Sequence, residues 1–519
     1  MKLAHVTTSK ERITYHADPL GLYQQLTQDA PHTMLLESAE IDSKDHLKSI
    51  VMTHGAMMIR CDGYQLTFTA LTDNGNRLLK PIQGFFADAH SELKEGVLTL
   101  TLVKESEMLD EDARLKSSSP LDGLRALVKE IGFGETPVFE DLFLGGVLAY
   151  DLIDTVEPLP EVPQGENTCP DYLFYLAETL ILIDHQQQHA DIVTHLFSTD
   201  EIAASPKQKE QLVQRVQSLQ AIAEQTAPIA PLVTIDADTQ VNISDDIFKQ
   251  TVQDLKSHII AGDIFQVVPS RSFSLPCPNT LGAYRALRLT NPSPYMFYFR
   301  GEDFTLFGAS PESALKYEAH TNQVEIYPIA GTRKRGKTVD GSIDFDLDSR
   351  IELELRLDKK ELSEHLMLVD LARNDVARIS QSGTRKVAEL LKVDRYSHVM
   401  HLVSRVTGQL RDDLDALHAY QACMNMGTLT GAPKVSAAQL IRGAEQSRRG
   451  SYGGAVGYLN GLGDMDTCIV IRSAFVKDGT AYIQAGAGVV FDSDPQAEAD
   501  ETRQKAQAVI SAIKMGGGL

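Results

Sequence analysis

The sequence has few cysteines and no long apolar stretch. Its 519 residues include five cysteines, scattered and never in a C-x-x-C pair, which argues against a disulfide framework or a zinc site. No segment reaches the ~18 consecutive apolar residues that a membrane span requires, and the first twenty residues contain no apolar signal segment. We therefore expect a cytoplasmic protein without membrane-spanning helices.

Basic residues are outnumbered by acidic ones, and tryptophan is absent. The chain has 49 Lys and Arg against 71 Asp and Glu, a net charge of −22, and no tryptophan at all. Because like charges repel, neither nucleic acid nor an anionic membrane is expected as a partner. A small anionic substrate is still compatible, since a site needs only a few local cations or a metal ion.

One break in composition divides the chain. Residues 226–241 contain two prolines and follow a segment with helical spacing of apolar residues, which is typical of a linker. We interpret residues 1–225 and 242–519 as two domains. In the second, predicted hairpins and helices alternate without a βαβ rhythm, which favours an α+β fold with mostly antiparallel sheets.

The second part contains three readable elements. Residues 349–379 have a helical apolar stripe, and Asp478-Gly479 separates two β-branched runs as in a hairpin. A final helix is expected to begin with Asp494 as its cap and Pro495 in its first turn.

Residues 331–338 match the phosphate-loop pattern G-x-x-x-x-G-K-[ST]. That loop must open directly into a helix, yet Gly341 and three acidic residues follow, so no helix is expected to start at Lys337. A nucleotide hydrolase is therefore a remote alternative, and we interpret 333–337 as a basic surface loop.

Two pairs of glutamates are candidate metal ligands. Glu361 and Glu364 are spaced i, i+3 on one predicted helix, as are Glu498 and Glu501 on the last, so each pair shares a helix face. If the two faces met, they would suit Mg²⁺, which takes one or two carboxylates and keeps water for a substrate. Solvated helix faces are the alternative.

Further candidates lie in apolar or glycine-rich surroundings. Arg472, predicted within a strand 469–476, has apolar neighbours on its face and needs an anionic partner, either a structural carboxylate or a ligand. Glycine-rich segments 426–434, 451–458 and 485–490 either approach a ligand or form turns. His401, on a predicted strand, has a structural alternative. Together these residues describe a pocket for a small polycarboxylate.

These motifs resemble the chorismate-utilising enzymes, and among them the large subunits of anthranilate synthases. The resemblance spans nearly the whole chain and is densest over about 245–510. It rests on PIAGTR (328–333), ELSEHLMLVDLARND (361–375), GTLTGAPK (427–434), YGGAVGY (452–458), IRSA (471–474), QAGAGVV (484–490) and EADETRQKA (498–506). It implies antiparallel sheets packed face to face as a β-sandwich core, with helices outside.

The resemblance also implies a reaction and a ligand set. Chorismate and ammonia would give aminodeoxyisochorismate, from which pyruvate is eliminated to leave anthranilate, the first step of tryptophan biosynthesis. Glu364 and Glu501 would bind Mg²⁺, and Glu361 and Glu498 would hold its waters. Carried over to matching positions, the substrate-binding residues are Gly331, Thr332, Tyr452, Arg472, Gly486, Ala487 and Gly488; the catalytic ones are Glu312, His401, Gln266 and Thr428.

At four positions the resemblance specifies a chemical role or excludes one. Glu312 would protonate the departing C4 hydroxyl, which requires a raised pKa, and His401 matches the histidine tied to the elimination. Ala330 and Gln266 stand where other chorismate enzymes (aminodeoxychorismate and isochorismate synthases, the nearest alternative) carry reactive lysines. Neither residue can act as nucleophile or base, so ammonia is the expected nucleophile.

Partners are implied in the same way. Ser38 and Pro294-Tyr295-Met296 match the family's effector site for L-tryptophan, an inhibitor. No cysteine here lies in a glutaminase elbow, so a separate glutamine amidotransferase subunit would supply ammonia, in a heterotetramer of two large and two small subunits.

Overall fold

The computed structural model describes residues 2–38, 48–104, 110–134, 136–199, 205–225, 231–396 and 399–519. In the first half the elements are β1 Ala4–Ile13, α1 Pro19–Thr27, β2 Thr33–Glu37, β3 Lys48–Asp62, β4 Gln65–Ala70, α2 Asp73–Phe85, β5 His90–Lys94, β6 Val97–Thr101, α3 Glu111–Lys116, α4 Asp122–Glu130, β7 Ile131–Gly132, β8 Phe143–Leu148, β9 Tyr172–Asp184, β10 His189–Ser198 and α5 Pro206–Ala223.

The second half continues with β11 Gln240–Val241, α6 Asp245–Ala261, β12 Gln266–Val267, β13 Ser270–Pro276, α7 Thr280–Thr290, β14 Tyr295–Arg300, β15 Thr305–Ser310, β16 Ser313–Glu318, β17 Gln323–Ile326, β18 Ile329–Lys334, α8 Phe345–Leu357, α9 Lys359–Ile379, β19 Lys386–Arg395, β20 Val399–Gln409, α10 Ala416–Cys423, α11 Gly427–Thr430, β21 Gly431–Ala432, α12 Lys434–Glu445, β22 Ala455–Asn460, β23 Met465–Ile469, β24 Ser473–Lys477, β25 Thr480–Gly486 and α13 Pro495–Gly516.

Two sheets extend from the paired strands β3 and β9. The first runs β2–β14–β15–β24–β25–β13–β11, and the second runs β8–β22–β23–β16–β17–β20, with β18 and β19 also paired to β20. In the described residues every strand pair is antiparallel except β1 with β7. The predicted α+β class with antiparallel sheets is therefore confirmed.

The two sheets pack face to face. One buried apolar cluster joins Phe297, Phe299 and Phe475 of the first sheet to Val147 and Val456 of the second. Helices α7 and α13 cover the outer face of the first sheet, and α9 and α10 cover that of the second. The predicted β-sandwich core with helices outside is thus present, and its apolar layers hold the site rigidly from both sides.

Strands from both predicted domains contribute to each sheet. β2 pairs with β14, and β8 pairs with β22. The boundaries at 225 and 242 therefore stay a prediction, and residues 226–230 of the predicted linker lie outside the described residues. Its described part runs beside the end of α13, where Ile235 N–H donates to Lys514 O at 2.8 Å. In the described residues no helix is long and apolar enough to cross a membrane.

The predicted local elements are confirmed, with one break. The helical stripe at 349–379 becomes α8 and α9, separated at Asp358, which caps α9. The hairpin turns at Asp478-Gly479 between β24 and β25. Asp494 caps α13, and Pro495 is its first residue.

A buried ion pair connects the two parts of the chain. Arg442 Nη2 lies 2.7 Å from Asp151 Oδ1, and these side chains are only 4% and 1% exposed. We predict that Arg442→Met destabilises the fold by about 3–5 kcal/mol, because Asp151 keeps a buried charge whose closest cation is removed. Urea denaturation measures the effect.

The control for this prediction is Arg350→Met. Arg350 pairs with Asp346, but both side chains are mostly exposed, so its loss should cost less than about 1 kcal/mol. Equal, small shifts of the two midpoints would contradict the importance of the buried pair.

Candidate active site

Two helices bring the four predicted metal-binding carboxylates together. Glu361 and Glu364 lie in the first turns of α9, and Glu498 and Glu501 lie in the first turns of α13. Burial raises the pKa of Glu364, and the charges of Glu361 and Glu501 raise it further. Carboxylates of the two helices therefore face one another, as the sequence predicted.

Gln266 and two glycines close in on this acidic cluster. Gly331 has φ +73°, and a Cβ there would lie 3.1 Å from Glu361 Oε2. A Cβ on Gly488 would lie 2.8 Å from Gln266 Nε2, which donates to Glu364 Oε1 at 3.3 Å. Gln266 Oε1 is buried and has no hydrogen-bond partner in the described residues. An acceptor is therefore available at the edge of the cluster.

Glu312 lies at the corner between β15 and β16. Its backbone is held by hydrogen bonds with Ser310 Oγ and Ile469 N–H. Burial raises the pKa of Glu312 to about 8, although Thr428, Lys505 and Arg472 each act to lower it. No cation lies within ion-pair distance of this carboxyl in the described residues, so it holds a proton near neutral pH.

Arg472 does not lie in the strand that the sequence predicts. β23 ends at Ile469 and β24 begins at Ser473, and Arg472 between them has φ +48°. The prediction of an unbroken strand 469–476 is wrong, because the chain turns here to direct the arginine into the pocket beside Tyr452 and Glu312.

Arg472 needs an anionic partner, since removing a guanidinium from water is unfavourable without one. Burial lowers the pKa of Arg472, and within 4 Å it forms no ion pair in the described parts of the chain. The sequence left two alternatives for this partner, a structural carboxylate and a ligand. A structural salt bridge is not seen, so a ligand carboxylate is the remaining alternative.

Tyr452 lies beside Arg472, and the segment 486–488 at the end of β25 approaches Tyr452. Burial raises the pKa of Tyr452 to about 12, so its hydroxyl keeps its proton and can donate. A Cβ on Gly486 would lie 3.1 Å from Tyr452 Oη. The backbone of residues 486–488 therefore lies close to the Tyr452 hydroxyl and to Gln266.

His401 and Thr332 face each other across strands β20 and β18. They are register partners, and Thr332 Oγ1 lies 3.0 Å from His401 Nδ1. Burial and the charge of Arg472 lower the pKa of His401 to about 4, so its imidazole is neutral at pH 7. A neutral imidazole beside the pocket can accept a proton.

Thr428 lies opposite, in the short helix α11. Its Oγ1 is buried and, apart from the Glu312 carboxyl whose pKa it lowers, has no hydrogen-bond partner in the described residues. A buried hydroxyl of this kind is typically satisfied by a ligand or by water. Contacts and electrostatic interactions thus connect the catalytic and substrate-binding residues proposed from the sequence into one cluster.

Residues 333–337, predicted to be a basic surface loop, differ from that prediction at two arginines. Helix α8 begins only at Phe345, so no helix starts at Lys337, as expected for a chain that is not a phosphate-loop protein. However, Arg335 pairs with buried Asp348 at 2.9 Å, and Arg333 pairs with Glu361 at 2.9 Å. The interpretation as a solvated surface loop is wrong for these two arginines.

Sequence reasoning missed two cations of the site, Arg333 and Lys505. Lys505 Nζ lies 2.6 Å from Glu501 Oε1 and donates to Gly486 O at 3.0 Å. Its i, i+4 spacing from Glu501 on α13 was the available signal. Arg333 follows the PIAGT motif directly, but its partner is distant in sequence. Both cations balance the acidic cluster.

The predicted effector residues lie apart from this pocket. Ser38 follows β2, Pro294-Tyr295-Met296 leads into β14, and Ser38 Oγ donates to Pro294 O at 3.2 Å. All four residues line a cavity of about 940 Å³ between the two sheets. The structure therefore brings them together, although they are more than 250 residues apart in sequence.

Among the described residues, no three His, Cys, Asp or Glu side chains form a ready-made metal cage. The facing carboxylates of α9 and α13 nevertheless present the hard oxygen donors that Mg²⁺ prefers, and this ion needs only one or two of them. In the structure Glu361 and Glu501 are paired with Arg333 and Lys505.

The chain is similar to characterised proteins over nearly its whole length. Residues 87–511 match the family of chorismate binding enzymes. Anthranilate synthase component 1 of Vibrio cholerae is 59% identical over 99% of this chain and 97% of its own length. The Escherichia coli protein of the same name is 56% identical over 96% and 95%.

Solved structures agree. Anthranilate synthase component I from Streptococcus pneumoniae has a TM-score of 0.67 and 28% identity, covering 96% of this chain and 99% of that one. The menaquinone-specific isochorismate synthase of Escherichia coli has a TM-score of 0.68 at 18% identity, covering 99% and 95%, and shares the fold. On the motifs, the pocket and these matches together, the chain belongs to the family of chorismate binding enzymes.

Proposed function

We propose that this chain is the large subunit of an anthranilate synthase, which converts chorismate and ammonia to anthranilate and pyruvate. The observation that carries the proposal is one site with a protonated buried acid, Glu312, and an arginine, Arg472, that forms no ion pair within the described residues. Chorismate has two carboxylates and a hydroxyl to be expelled. These two residues supply a proton for the hydroxyl and a charge for a carboxylate.

The substrate would bind through both of its carboxylates. Arg472 would pair with the enolpyruvyl carboxylate, and the Tyr452 hydroxyl and the amides of 486–488 would donate to it. Gly331, Thr332 and Thr428 would line the ring. These assignments agree with the burial of Tyr452, with the partial exposure of Arg472 and with the close backbone approach at Gly486.

Glu364 and Glu501 would hold Mg²⁺, and Glu361 and Glu498 would hold its water ligands. When bound, the ion would neutralise the ring carboxylate of chorismate. The mutual repulsion that raises the pKa of Glu364 supports a divalent cation there, since a cation relieves it. Arg333 and Lys505 occupy two of these carboxylates and would release them for the metal.

The first step is the addition of ammonia with loss of the C4 hydroxyl. Glu312 donates its proton to the hydroxyl oxygen as the C–O bond breaks, so that water leaves. Gln266 Oε1, buried and unpartnered in the described residues, would accept a hydrogen bond from ammonia. The side chains of Ala330 and Gln266 cannot attack the ring or serve as a base, which leaves ammonia as the nucleophile.

The second step eliminates pyruvate from aminodeoxyisochorismate and makes the ring aromatic. His401 is neutral because its pKa lies at about 4, and Thr332 orients its Nδ1. We assign His401 to this step, in which a ring proton is lost.

We further propose a separate amidotransferase subunit as the ammonia source, in a heterotetramer of two large and two small subunits. L-tryptophan would inhibit by binding at Ser38 and Pro294-Tyr295-Met296. Ser313, next to Glu312, lines both the effector cavity and a small cavity beside the active site, so a ligand in one can act on the other. The reaction would take place in the cytoplasm.

The metal site is tested by Glu364→Gln. We expect anthranilate formation to fall by more than about 100-fold, because a coordinating charge is lost, and chelation of Mg²⁺ should abolish wild-type activity reversibly. Glu354→Gln, on the exposed face of α8, is the matched control and should be unchanged. Full activity of Glu364→Gln would remove this residue from the metal site.

The general acid is tested by Glu312→Gln and by pH. The variant should lose about 10²–10⁴ in kcat, the usual contribution of a general acid, with little change in KM. Since only the protonated form donates, wild-type kcat/KM at constant free ammonia should fall as pH rises through about 8. A rate that keeps rising above this pH would contradict the role of Glu312.

The effector site is tested by Ser38→Arg. The larger side chain would fill the space between β2 and β14, so tryptophan should no longer inhibit while uninhibited kcat stays within about twofold. Inhibition that persists unchanged would place the effector elsewhere.

A further inference from the structure

A small cavity lies beside Glu312, and it shares the wall residues Ser313 and Tyr327 with the effector cavity. It has a free volume of about 20 Å³, which is enough for one water molecule. Its walls come from α9, the segment around α11 and the strand end at 326–328. None of the chemical steps proposed above uses the space in this cavity.

Five polar side chains are among its lining residues, those of Glu312, Ser313, Tyr327, Asp375 and Thr428. Asp375 comes from α9, and Glu312 and Thr428 belong to the proposed catalytic residues. Thr428 Oγ1 is buried and, apart from the Glu312 carboxyl, has no hydrogen-bond partner in the described residues, and a buried water typically needs two to four polar partners. Apolar Leu368 and Ala372 also belong to the wall.

Asp375 lines this cavity and also pairs with a cation outside it. It pairs with Lys434 Nζ at 2.7 Å, and the two side chains are 11% and 12% exposed. Lys434 Nζ also donates to Cys423 O at 2.6 Å. An ion pair that contacts both a cavity and solvent can exchange protons between them. The sequence had placed Asp375 in the ELSEHLMLVDLARND motif without giving it a role.

We propose that this cavity receives the water formed from the C4 hydroxyl of the substrate, and that Asp375 returns a proton to Glu312 through it. The inference rests on the proposed function. Glu312 gives its proton to the hydroxyl oxygen, the C4–O bond breaks with its electron pair on oxygen, and water moves into the cavity. The Glu312 carboxylate then takes a proton from this water, which is replaced from solvent along Lys434 and Asp375.

The proton balance needs no further reactant. Ammonia loses one proton to solvent after it has added to the ring, and Glu312 recovers one from solvent. Asp375 does not touch the substrate in this scheme, and it is a positioning residue that acts through Glu312. The elimination of pyruvate does not use Glu312, so it provides an internal control.

The experiment compares the two half-reactions in Asp375→Asn. We expect kcat for anthranilate formation from chorismate and ammonium to fall about tenfold, part of what general acid catalysis contributes. KM for chorismate and the rate of pyruvate elimination from supplied aminodeoxyisochorismate should stay unchanged. Asp370→Asn, on the exposed face of α9, is the matched control.

A second variant guards against loss of folding. Ala372→Val narrows the cavity and keeps the ion pair intact. It should lower kcat for anthranilate formation from chorismate and ammonium and leave the rate of pyruvate elimination unchanged. The proposal is overturned if both variants retain wild-type kcat, or if the two half-reactions fall by the same factor. If the wild-type chain forms no anthranilate at all, the proposed function fails first.

Discussion

The carboxyl group of Glu312 is buried without a cation at ion-pair distance in the described residues, and burial raises its pKa to about 8. This state depends on the sandwich, because Glu312 lies where β15 of one sheet leads into β16 of the other. The two sheets pack through one apolar layer, and burial at this corner disfavours the charged carboxylate. A neutral acid within a pocket of charged groups is thereby maintained near neutral pH.

The rest of the site is arranged around that acid by charge. The carboxylates of α9 and α13 lie on one side, and Arg472 lies beside Glu312 with no ion-pair partner of its own in the described chain. Lys505 contacts Glu501 and the backbone at Gly486. It therefore lies between the carboxylates proposed to bind the metal and the segment proposed to bind the substrate carboxylate. The acidic chain can therefore offer an anionic ligand the local positive charge of Arg472 and Lys505.

Local sequence patterns predicted the helices of the site well. The i, i+3 spacing of glutamates and the cap Asp494 act within a few residues, so local patterns are sufficient to place them. The break at Asp358 between α8 and α9 was not predicted. The turn at Arg472, with φ +48°, was missed because apolar alternation continues through it. The Arg335–Asp348 pair was missed because the chain folds back before the two meet. The catalytic roles came from family resemblance, and the structure shows only that those residues share one pocket.

The account's central claim is that this pocket adds ammonia to chorismate and then eliminates pyruvate. The most direct measurement is to incubate the isolated chain with chorismate, Mg²⁺ and ammonium and to follow anthranilate fluorescence, with glutamine in place of ammonium as the comparison. We predict anthranilate with ammonium and none with glutamine alone. Formation of isochorismate instead, or no product with ammonium, would contradict the claim.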